Sequence, residues 1–352
     1  MSSPAIRGIL ASLALLLGAD GASGTVAAQA GAPRVGQVFA GDYRIDRELG
    51  QGAASRVYAA TELESGEPVA IKWSRLAVDD GERVSARLRR EYVAASRVRH
   101  PGIIEMKRLG VADGHVFLVM ELLKGELLTA VIDRGPMDPR AAVRLLLPAI
   151  EAVAACHDQG VIHRDIKPDN IFVLDSVEGK PPRVKVFDFS LSKVLPDPGE
   201  IDLKLTQPGK VLGTPLYMAP EQIGHAELAD PRTDVYAFGV VLYRMLTRSY
   251  PMMGTDYQDY LVRLSQAGPT PITVHRKDLP AGLARVVMRA IDHEPHNRYR
   301  DLHALAEALR PYAHAPAPVT RSRWLWGGGA GAVVAVVLLG GWRWRRAHRR
   351  AT

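Results

Sequence analysis

The character of the chain changes near residue 126, and this change constrains its fold more than any single motif. Before that position, short segments rich in β-branched and aromatic residues alternate with turn residues, a pattern typical of strands. Strands are predicted at 43–50, 55–62, 68–73 and 115–122. A helical pattern at about 82–98 interrupts them, and after residue 126 apolar residues recur mostly at helical spacing. Strands first and helices later predict an α+β arrangement with two lobes.

One helix of the second part has clear sequence signals at both ends. The stretch 138–160 begins with Asp138 as a cap and Pro139 in the first turn, and it ends at Gly160. Further apolar helices are predicted at 233–248 and 283–293. The sequence contains no internal repeat, and these elements together predict one domain at about 43–312.

Composition narrows the class of protein. The chain has 352 residues, of which 47% are hydrophobic and 24% charged, values typical of a globular protein. A single cysteine, Cys156, excludes an intramolecular disulfide framework and a cysteine-based metal cluster. Because Cys156 lies in an apolar helical pattern, we expect a buried, inert thiol.

The positive charge of the chain is concentrated at its C-terminal end. The formal net charge is +7, and seven arginines with no acidic residue follow residue 312. The preceding part is therefore close to neutral, and a nucleic-acid footprint on the main domain is not expected.

The N-terminal segment 1–34 resembles a leader. An apolar run at 9–17 follows Arg7, and Ala28-Gln29-Ala30 matches a signal-peptidase cleavage pattern. The run is too short to span a bilayer comfortably. The alternative is a non-native leader from an overlong gene start, with the folded protein beginning near Val35.

The C-terminal segment predicts a membrane anchor. Residues 324–342 carry no charge and have a tryptophan at each end, and as a helix they would extend roughly 28 Å, close to the ~30 Å hydrocarbon core. A linker at 313–323 precedes them and a basic tail at 343–352 follows. The alternative is a buried core helix. Gly327 and Gly331 have the spacing of helix-pairing motifs, which would allow a homodimer.

Two segments of the strand-rich part suit phosphate binding. Gly50 and Gly52 lie between two predicted strands, where glycines let backbone N–H groups approach phosphate oxygens, although such glycines alone usually mark a turn. Lys72 lies in an apolar strand and would suit a phosphate ligand, although a strand lysine often extends to water. Glu91 could hold Lys72 from a helix face, or it could be a surface residue.

The stretch 161–173, VIHRDIKPDNIFV, places much charge between apolar flanks. Asp165 could accept a hydroxyl proton, Lys167 could neutralise phosphate charge, and Asn170 could bind a metal ion through its amide oxygen. Asp188 follows an apolar strand and is a reasonable Mg²⁺ ligand, since hard cations prefer oxygen. The alternative for 161–173 is a solvated turn between strands.

Together these motifs resemble the eukaryotic-type Ser/Thr protein kinases, in the family's order and spacing. The resemblance covers roughly 43–312 and extends to the bacterial, membrane-anchored members of the family. It implies a small β-rich N-lobe, a larger helical C-lobe and a C-terminal transmembrane helix. It also implies that HRDIKPDN is the catalytic loop and that its apolar flanks are supporting strands.

The resemblance assigns roles to individual residues. It implies that ATP is bound by Leu49, Gly50, Gly52, Val57, Ala70, Lys72, Glu121 and Leu123. It implies catalytic roles for Asp165, Lys167, Lys72 and Glu91. Two Mg²⁺ ions would be held by Asn170 and Asp188. MELL, residues 120–123, would be the hinge, with Met120 as the gatekeeper.

The resemblance also covers the substrate side of the site. GTPLYMAPE, residues 213–221, is similar to the end of an activation segment, whose Glu221 would pair with Arg298. Asp234 would brace the catalytic loop from below. Lys167 and Thr214 favour serine or threonine over tyrosine as the acceptor.

Further expectations concern regulation of that segment. Arg164 would bind a phosphate on the activation segment, for which the expected acceptor is Thr206, ahead of Ser192; alternatively, Thr206 is an ordinary polar loop residue. The chain departs from the family pattern at Ser55 and Ser190, where glycine is usual. Serine resists some backbone torsions that glycine adopts, so the on–off rearrangement at Asp188 could be altered.

The function expected from the sequence is transfer of the ATP γ-phosphoryl group to protein Ser/Thr hydroxyls, with autophosphorylation, in membrane-associated signalling. One alternative is a membrane-tethered pseudokinase scaffold, and another is a small-molecule phosphotransferase. The use of ATP favours a kinase domain on the cytoplasmic side of a single-pass membrane protein. The arginines after residue 342 and the signal-like N-terminus favour the opposite orientation.

Overall fold

A computed structural model gives the fold of the chain. It describes residues 32–51, 55–77, 88–89, 92–93, 95–175, 182–189, 215–222, 230–266 and 268–314. Several predicted features lie outside these residues: Gly52, Glu91, Ser190, Ser192, Thr206, Thr214 and the segments 1–31 and 315–352. Within the described ranges, no helix is long and apolar enough to cross a bilayer; the predicted span 324–342 is not among them.

Two antiparallel sheets account for the described strands. The larger sheet has the order β1-β2-β3-β4-β6-β5 and the smaller has the order β7-β8-β9. The strands of the larger sheet are β1 (Val38–Phe39), β2 (Tyr43–Gln51), β3 (Ser55–Glu62), β4 (Pro68–Ala77), β5 (Met106–Ala112) and β6 (His115–Glu121). Those of the smaller sheet are β7 (Gly125–Leu127), β8 (Ile171–Leu174) and β9 (Val184–Val186).

Helices dominate the chain after residue 127. They are α1 (Leu128–Asp133), α2 (Pro139–Asp158), α3 (Pro231–Thr247), α4 (Tyr257–Gln266), α5 (Ile272–His275), α6 (Ala281–Ala290) and α7 (Leu302–His314). The described residues within 88–97 are also helical. The predicted two-lobed α+β architecture, a β-rich first lobe followed by a helical second lobe, is confirmed.

The first lobe is a curled sheet that encloses its own apolar core. Alternate residues of the central strands meet inside it, including Ile45, Val69 and Ile71, each with no exposed surface. Arg108 of β5, on one edge of the sheet, forms a 2.5 Å ion pair with Asp42, beside the opposite edge. The two edges are therefore brought close together, and the interior is shielded from water on both sides.

Residues upstream of the predicted domain start complete this core. Strand β1 pairs with β2, and the Phe39 ring packs edge-on against Phe117 at 5.0 Å between ring centroids. Phe39 is 6% exposed, whereas its neighbour Val38 is 50% exposed. The folded lobe therefore includes residues before Tyr43, which the strand pattern did not indicate because β1 has only two residues.

The second lobe is built around α3. Every residue of this helix from Thr233 to Tyr243 is buried, so α3 is surrounded by other elements rather than lying on a surface. Gly239 allows a close approach, because a Cβ there would lie 2.6 Å from Cγ2 of Ile291. Helix α2 packs beside it with the predicted cap, in which the Asp138 carboxylate accepts a hydrogen bond from the Ala141 N–H at 3.0 Å.

The structure corrects one detail of the expected catalytic loop. Strand β8 begins directly after Asn170, so the downstream apolar flank is a supporting strand as predicted. The upstream flank is not: Val161 and Ile162 have no strand partner among the described residues and follow the end of α2 as a loop. Val161 is nevertheless buried, so its apolar character reflects packing against the second-lobe core.

The packing of Phe39 leads to a stability prediction. Replacing Phe39 by alanine should lower the free energy of unfolding by about 3 kcal/mol, because it removes a buried ring and leaves a cavity. Val38→Ala, one residue away on the exposed face, should change it by less than about 0.5 kcal/mol. Chemical denaturation would measure both, and equal effects would show that β1 does not complete the core.

Candidate active site

A buried carboxylate of α3 holds the loop that joins α2 to β8. Asp234 is fully buried, and its carboxylate accepts hydrogen bonds from the backbone N–H groups of His163 and Arg164, both at 2.9 Å. The same carboxylate lies 2.8 Å from Nε2 of His157. The predicted bracing of the catalytic loop by Asp234 is therefore present in the structure as direct contacts.

The polar residues of this loop converge on Asp165. The Lys167 ammonium lies 2.9 Å from Oδ2 of Asp165, and the Asn170 amide donates to the Asp165 carbonyl at 2.8 Å and contacts Oδ2 at 3.3 Å. Asp165 is 7% exposed. Because its carboxylate is held by a cation and an amide, it keeps one orientation and stays available as an acceptor.

Asp188 is brought beside this loop by β9. The N–H of Phe187 donates to the carbonyl of Asn170 at 3.1 Å, and Nε2 of His163 lies 3.1 Å from the Phe187 carbonyl. The ring of Phe189 packs against His163 at 4.6 Å. These contacts bring the segment that carries Asp188 against Asn170, the other predicted metal ligand. Both offer the oxygen donors that Mg²⁺ prefers, so the residues fit that ion.

Backbone strain marks the same two segments. Arg164 and Asp188 have φ angles of 63° and 62°, in the left-handed region that residues with a side chain rarely adopt. Such conformations cost of order 1–3 kcal/mol and persist where the surrounding structure fixes them. Here the Asp234 carboxylate accepts from the Arg164 N–H, and the Asn170 carbonyl accepts from the Phe187 N–H, so both segments are fixed.

Lys72 reaches this cluster from the first lobe. It lies in β4, and its ammonium is 3.2 Å from Oδ1 of Asp188, with 17% and 18% of the two side chains exposed. The sheet register places Val57 opposite Lys72 and Gly50 opposite Val57. Gly50 of β2 and Lys72 of β4 are therefore paired with the same residue, Val57, of the strand β3 that lies between them.

An apolar cluster lies beside Lys72. Ala70 pairs directly with Met120 across β4 and β6, and both are buried. They pack with two further residues expected to bind ATP, Val57 and Leu123, and with Ile104, Met106, Leu122 and Phe187. Leu49 is 39% exposed on β2. The structure thus brings Val57, Ala70 and Leu123 together.

The substrate-side turns are anchored by a buried ion pair. The guanidinium of Arg298 contacts both carboxylate oxygens of Glu221, at 2.7 and 2.8 Å, and packs over the Tyr236 ring. The Arg298 side chain is fully buried and also donates to the carbonyls of Asp292 and His293. The predicted pairing of Glu221 with Arg298 is present.

Sequence reasoning missed two residues that support the loop. His157 contacts Asp234 from α2, and Gln222 accepts from the Ala219 N–H at 2.9 Å while its amide lies 3.4 Å from the Arg164 carbonyl. Tyr217 and Asp165 line one small cavity with Gln222. Neither His157 nor Gln222 stands in a recognisable motif, so only the tertiary structure reveals them.

Burial and hydrogen bonding act in opposite directions on Asp234. Burial alone would raise the pKa of its carboxyl, but the contacts from His157 and His163 outweigh this and lower the pKa below its ordinary value of 3.8. Burial, reinforced by the charge of Asp234, raises the pKa of the Cys156 thiol to about 12. A thiol with so high a pKa is a poor nucleophile at neutral pH, which confirms the expectation of a buried, inert cysteine.

Comparison with known proteins identifies the family. Residues 43–307 match the protein kinase domain. The chain belongs to this family. A serine/threonine-protein kinase of Myxococcus xanthus, pkn2, is 36% identical over 275 residues, which cover 77% of this chain and 32% of that protein. PknL of Mycobacterium tuberculosis is 33% identical over 274 residues, covering 77% of this chain and 65% of PknL.

The fold comparison agrees with the family. The crystal structure of the Mycobacterium tuberculosis PknI kinase domain has a TM-score of 0.60 and 25% identity, covering 80% of this chain and all of that domain. The chain spans less than half of the length of the Myxococcus xanthus relatives pkn2 and pkn3. The shared region is thus the kinase domain.

The lowered pKa of Asp234 predicts a pH-dependent loss of stability. Asparagine cannot accept from every donor around residue 234, so Asp234→Asn should lower the free energy of unfolding by about 1–3 kcal/mol at neutral pH. Because the pKa is lower in the folded state, this difference should be complete above pH 3.8 and should shrink as the pH falls further.

Chemical denaturation of the wild-type chain and of the Asp234→Asn variant, at pH values from 7 to 3, would measure this difference in the free energy of unfolding. Asp133→Asn, at a side chain that is 58% exposed, is the control and should change stability by less than about 0.5 kcal/mol. A difference for Asp234→Asn that stays constant or grows towards low pH would contradict the role of its charge.

Proposed function

We propose that the chain is an active Ser/Thr protein kinase that transfers the γ-phosphoryl group of ATP to serine or threonine hydroxyls of proteins. One observation carries the proposal: Lys72, Asp165, Lys167, Asn170 and Asp188 meet where the two lobes face each other. A pseudokinase would not need all of these groups. Family membership and the names of the relatives support the same activity.

Asp165 is proposed to orient the acceptor hydroxyl and to take up its proton. Its carboxylate is held by Lys167 and Asn170, which fixes the direction from which a hydroxyl can approach. Lys167 would also lie close to the transferred phosphoryl group and offset its charge. The transition state of phosphoryl transfer is loose, so positioning and charge stabilisation provide most of the catalysis.

Lys72, Asn170 and Asp188 are proposed to hold ATP and two magnesium ions. When bound, magnesium supplies positive charge that offsets the charge of the phosphates. Lys72 and Asp188 now contact each other, and on nucleotide binding the ammonium would contact the α- and β-phosphates while the carboxylate would bind metal. Glu91, which lies outside the described residues, is proposed from the family resemblance to hold Lys72.

The adenine is proposed to bind in the apolar cluster beside the hinge. Val57, Ala70 and Leu123 would contact its faces, and the backbone of Glu121 and Leu123 would bond its edge. Leu49, Gly50 and Gly52 would cover the nucleotide from β2 and the following turn. This arrangement would point the phosphates towards Lys72, because β4 carries Ala70 and Lys72 on one face of the sheet.

A radiolabelled-ATP assay on a generic protein substrate tests the proposal. Asp165→Asn should lower kcat by about 10²–10⁴-fold because the hydroxyl loses its oriented acceptor. Lys72→Met and Asp188→Asn should each lower kcat by at least about 10²-fold. Asp158→Asn, at a side chain that is 57% exposed, is the control and should retain normal activity. Unchanged turnover in the three site variants, or an inactive wild-type chain, would refute the proposed function.

Autophosphorylation and regulation extend the proposal. The acceptor would be Thr206, with Arg164 binding the resulting phosphate. Arg164 precedes Asp165 and its backbone is fixed by Asp234, so a phosphate held by its guanidinium would be coupled to the catalytic loop.

We also infer that the chain is a single-pass membrane protein with its kinase domain in the cytoplasm. The uncharged segment 324–342, flanked by tryptophans and arginines, supports a span. The need for ATP supports the cytoplasmic side. Gly327 and Gly331 would let two spans pair closely in a homodimer.

Reporter fusions test this orientation. Alkaline phosphatase fused after Thr352 should be active, because the C-terminal end would lie outside the cytoplasm, and a fluorescent protein inserted at residue 32 should fold inside. Replacing Val334 and Leu338 by arginine should release the chain from the membrane fraction, since each buried charge costs about 2.5–3.5 kcal/mol. The reverse pattern of reporter activities would show an exported kinase domain.

A further inference from the structure

The side chain of Glu121 makes contacts that its proposed backbone role does not require. Its Oε1 atom lies 2.5 Å from the Lys185 ammonium and accepts a hydrogen bond from the Glu105 N–H at 2.8 Å. The backbone of Glu121 also donates to the Glu105 carbonyl at 3.0 Å. One residue of the hinge is therefore bonded to two other segments of the chain.

Lys185 provides the cation that pairs with Glu121, and it belongs to the second lobe. It lies in β9, and its ammonium donates to the Ile103 carbonyl at 3.1 Å in addition to contacting Glu121. Only 14% of the Lys185 side chain and 25% of the Glu121 side chain are exposed. The pair is therefore shielded from most of the solvent that weakens surface ion pairs.

The backbone segment 102–105 is the third part of the chain in this arrangement, with Glu121 and Lys185. Its backbone bonds to β9, through Ile104 N–H to the Val186 carbonyl at 3.0 Å and Val186 N–H to the Gly102 carbonyl at 2.8 Å. A Cβ on Gly102 would lie 2.7 Å from Cβ of Ala152 in α2, so this segment packs tightly on the second lobe. We name the Glu121–Lys185 pair, with the backbone of Ile103 and Glu105, the hinge clamp.

The hinge clamp joins the two segments that carry the ends of the proposed nucleotide site. Glu121 directly follows Met120, which packs in the apolar cluster with Ala70. Lys185 precedes Asp188 by three residues on the strand that presents that carboxylate. The ion pair therefore links the hinge, beside the apolar cluster, to the strand that leads to Asp188.

We propose that Glu121 and Lys185 are positioning residues that set the hinge against β9 and thereby determine nucleotide affinity. The inference rests on the proposed function, because it assumes that the apolar cluster and Asp188 bind one ATP molecule. Losing the clamp leaves every proposed ATP contact in the chain but lets the hinge backbone shift, so ATP binding weakens more than turnover slows.

The chemistry of the hinge clamp predicts which substitutions preserve it and which disrupt it. Glu121 accepts from a backbone N–H, and Lys185 donates to a backbone carbonyl. Exchanging the two residues would place an ammonium beside the N–H and a carboxylate beside the carbonyl, which are repulsive contacts. Lys185→Arg keeps a hydrogen-bond donor and the positive charge, so it should retain most of the ATP affinity that Lys185→Met loses.

The test uses the full chain and a fluorescent ATP analogue displaced by ATP, together with steady-state kinetics. Lys185→Met should raise Kd and KM for ATP by about 3–10-fold while kcat changes by less than about twofold. Glu121→Gln should do the same. The double variant should raise Kd by less than the product of the two single effects, because both substitutions remove the shared Glu121–Lys185 interaction.

Lys107→Met is the matched control. Lys107 forms an ion pair of the same length, 2.5 Å, with Glu67, but both residues belong to the first lobe. This variant should leave the ATP affinity unchanged. Thermal unfolding of each variant separates a loss of nucleotide affinity from a loss of fold, and Glu121→Gln still tests the clamp if Lys185→Met fails to fold.

The outcomes divide cleanly. The proposal is overturned if Lys185→Met and Glu121→Gln leave the ATP affinity unchanged, or if Lys107→Met changes it equally. It is also overturned if exchanging Glu121 and Lys185 restores the affinity, or if the clamp variants bind ATP more tightly and turn over faster. A wild-type chain that binds ATP without transferring phosphate would end the proposed activity, while the affinity comparison would still test the clamp. A wild-type chain that binds no ATP would end both.

Discussion

The burial of one negative charge organises the second lobe. Asp234 has no exposed surface, and a carboxylate removed from water is stable only when hydrogen-bond donors replace its hydration. Two of its donors are backbone N–H groups of the loop that carries Asp165. The same contacts that satisfy the charge therefore hold the loop, and the hydrophobic core and the candidate active site form a single structural unit.

The two lobes, by contrast, are joined in the described part of the chain by two partly buried ion pairs. Lys72 reaches Asp188 and Lys185 reaches Glu121, and both pairs join the strand-rich lobe or hinge to the segment around β9. Partly buried ion pairs of this kind depend on geometry, because attraction must offset lost hydration. A ligand that rearranges one pair can therefore alter the relation between the lobes without disturbing either core.

The sequence predicted what depends on local pattern and on motif. Strands β2, β3, β4 and β6, the Asp138 cap and the pairing of Glu221 with Arg298 all followed from periodicity or family resemblance. Strand β1 was missed because two residues show no alternation, and β5 because its sequence, MKRLGVA, mixes charge and glycine. His157, Gln222 and the side chain of Glu121 act only through distant partners, which no local pattern encodes.

The N-terminal strand has a consequence for how the chain tolerates proteolysis. Phe39 fills space against Phe117 inside the curled sheet, so the lobe depends on residues that precede Tyr43. Cleavage after Ala30 would leave Phe39 in place, whereas cleavage after Ala40 would remove Phe39 and expose the aromatic interior of the lobe. The position of a single cut would then decide whether the strand-rich lobe keeps its aromatic core closed or exposes it to aggregation.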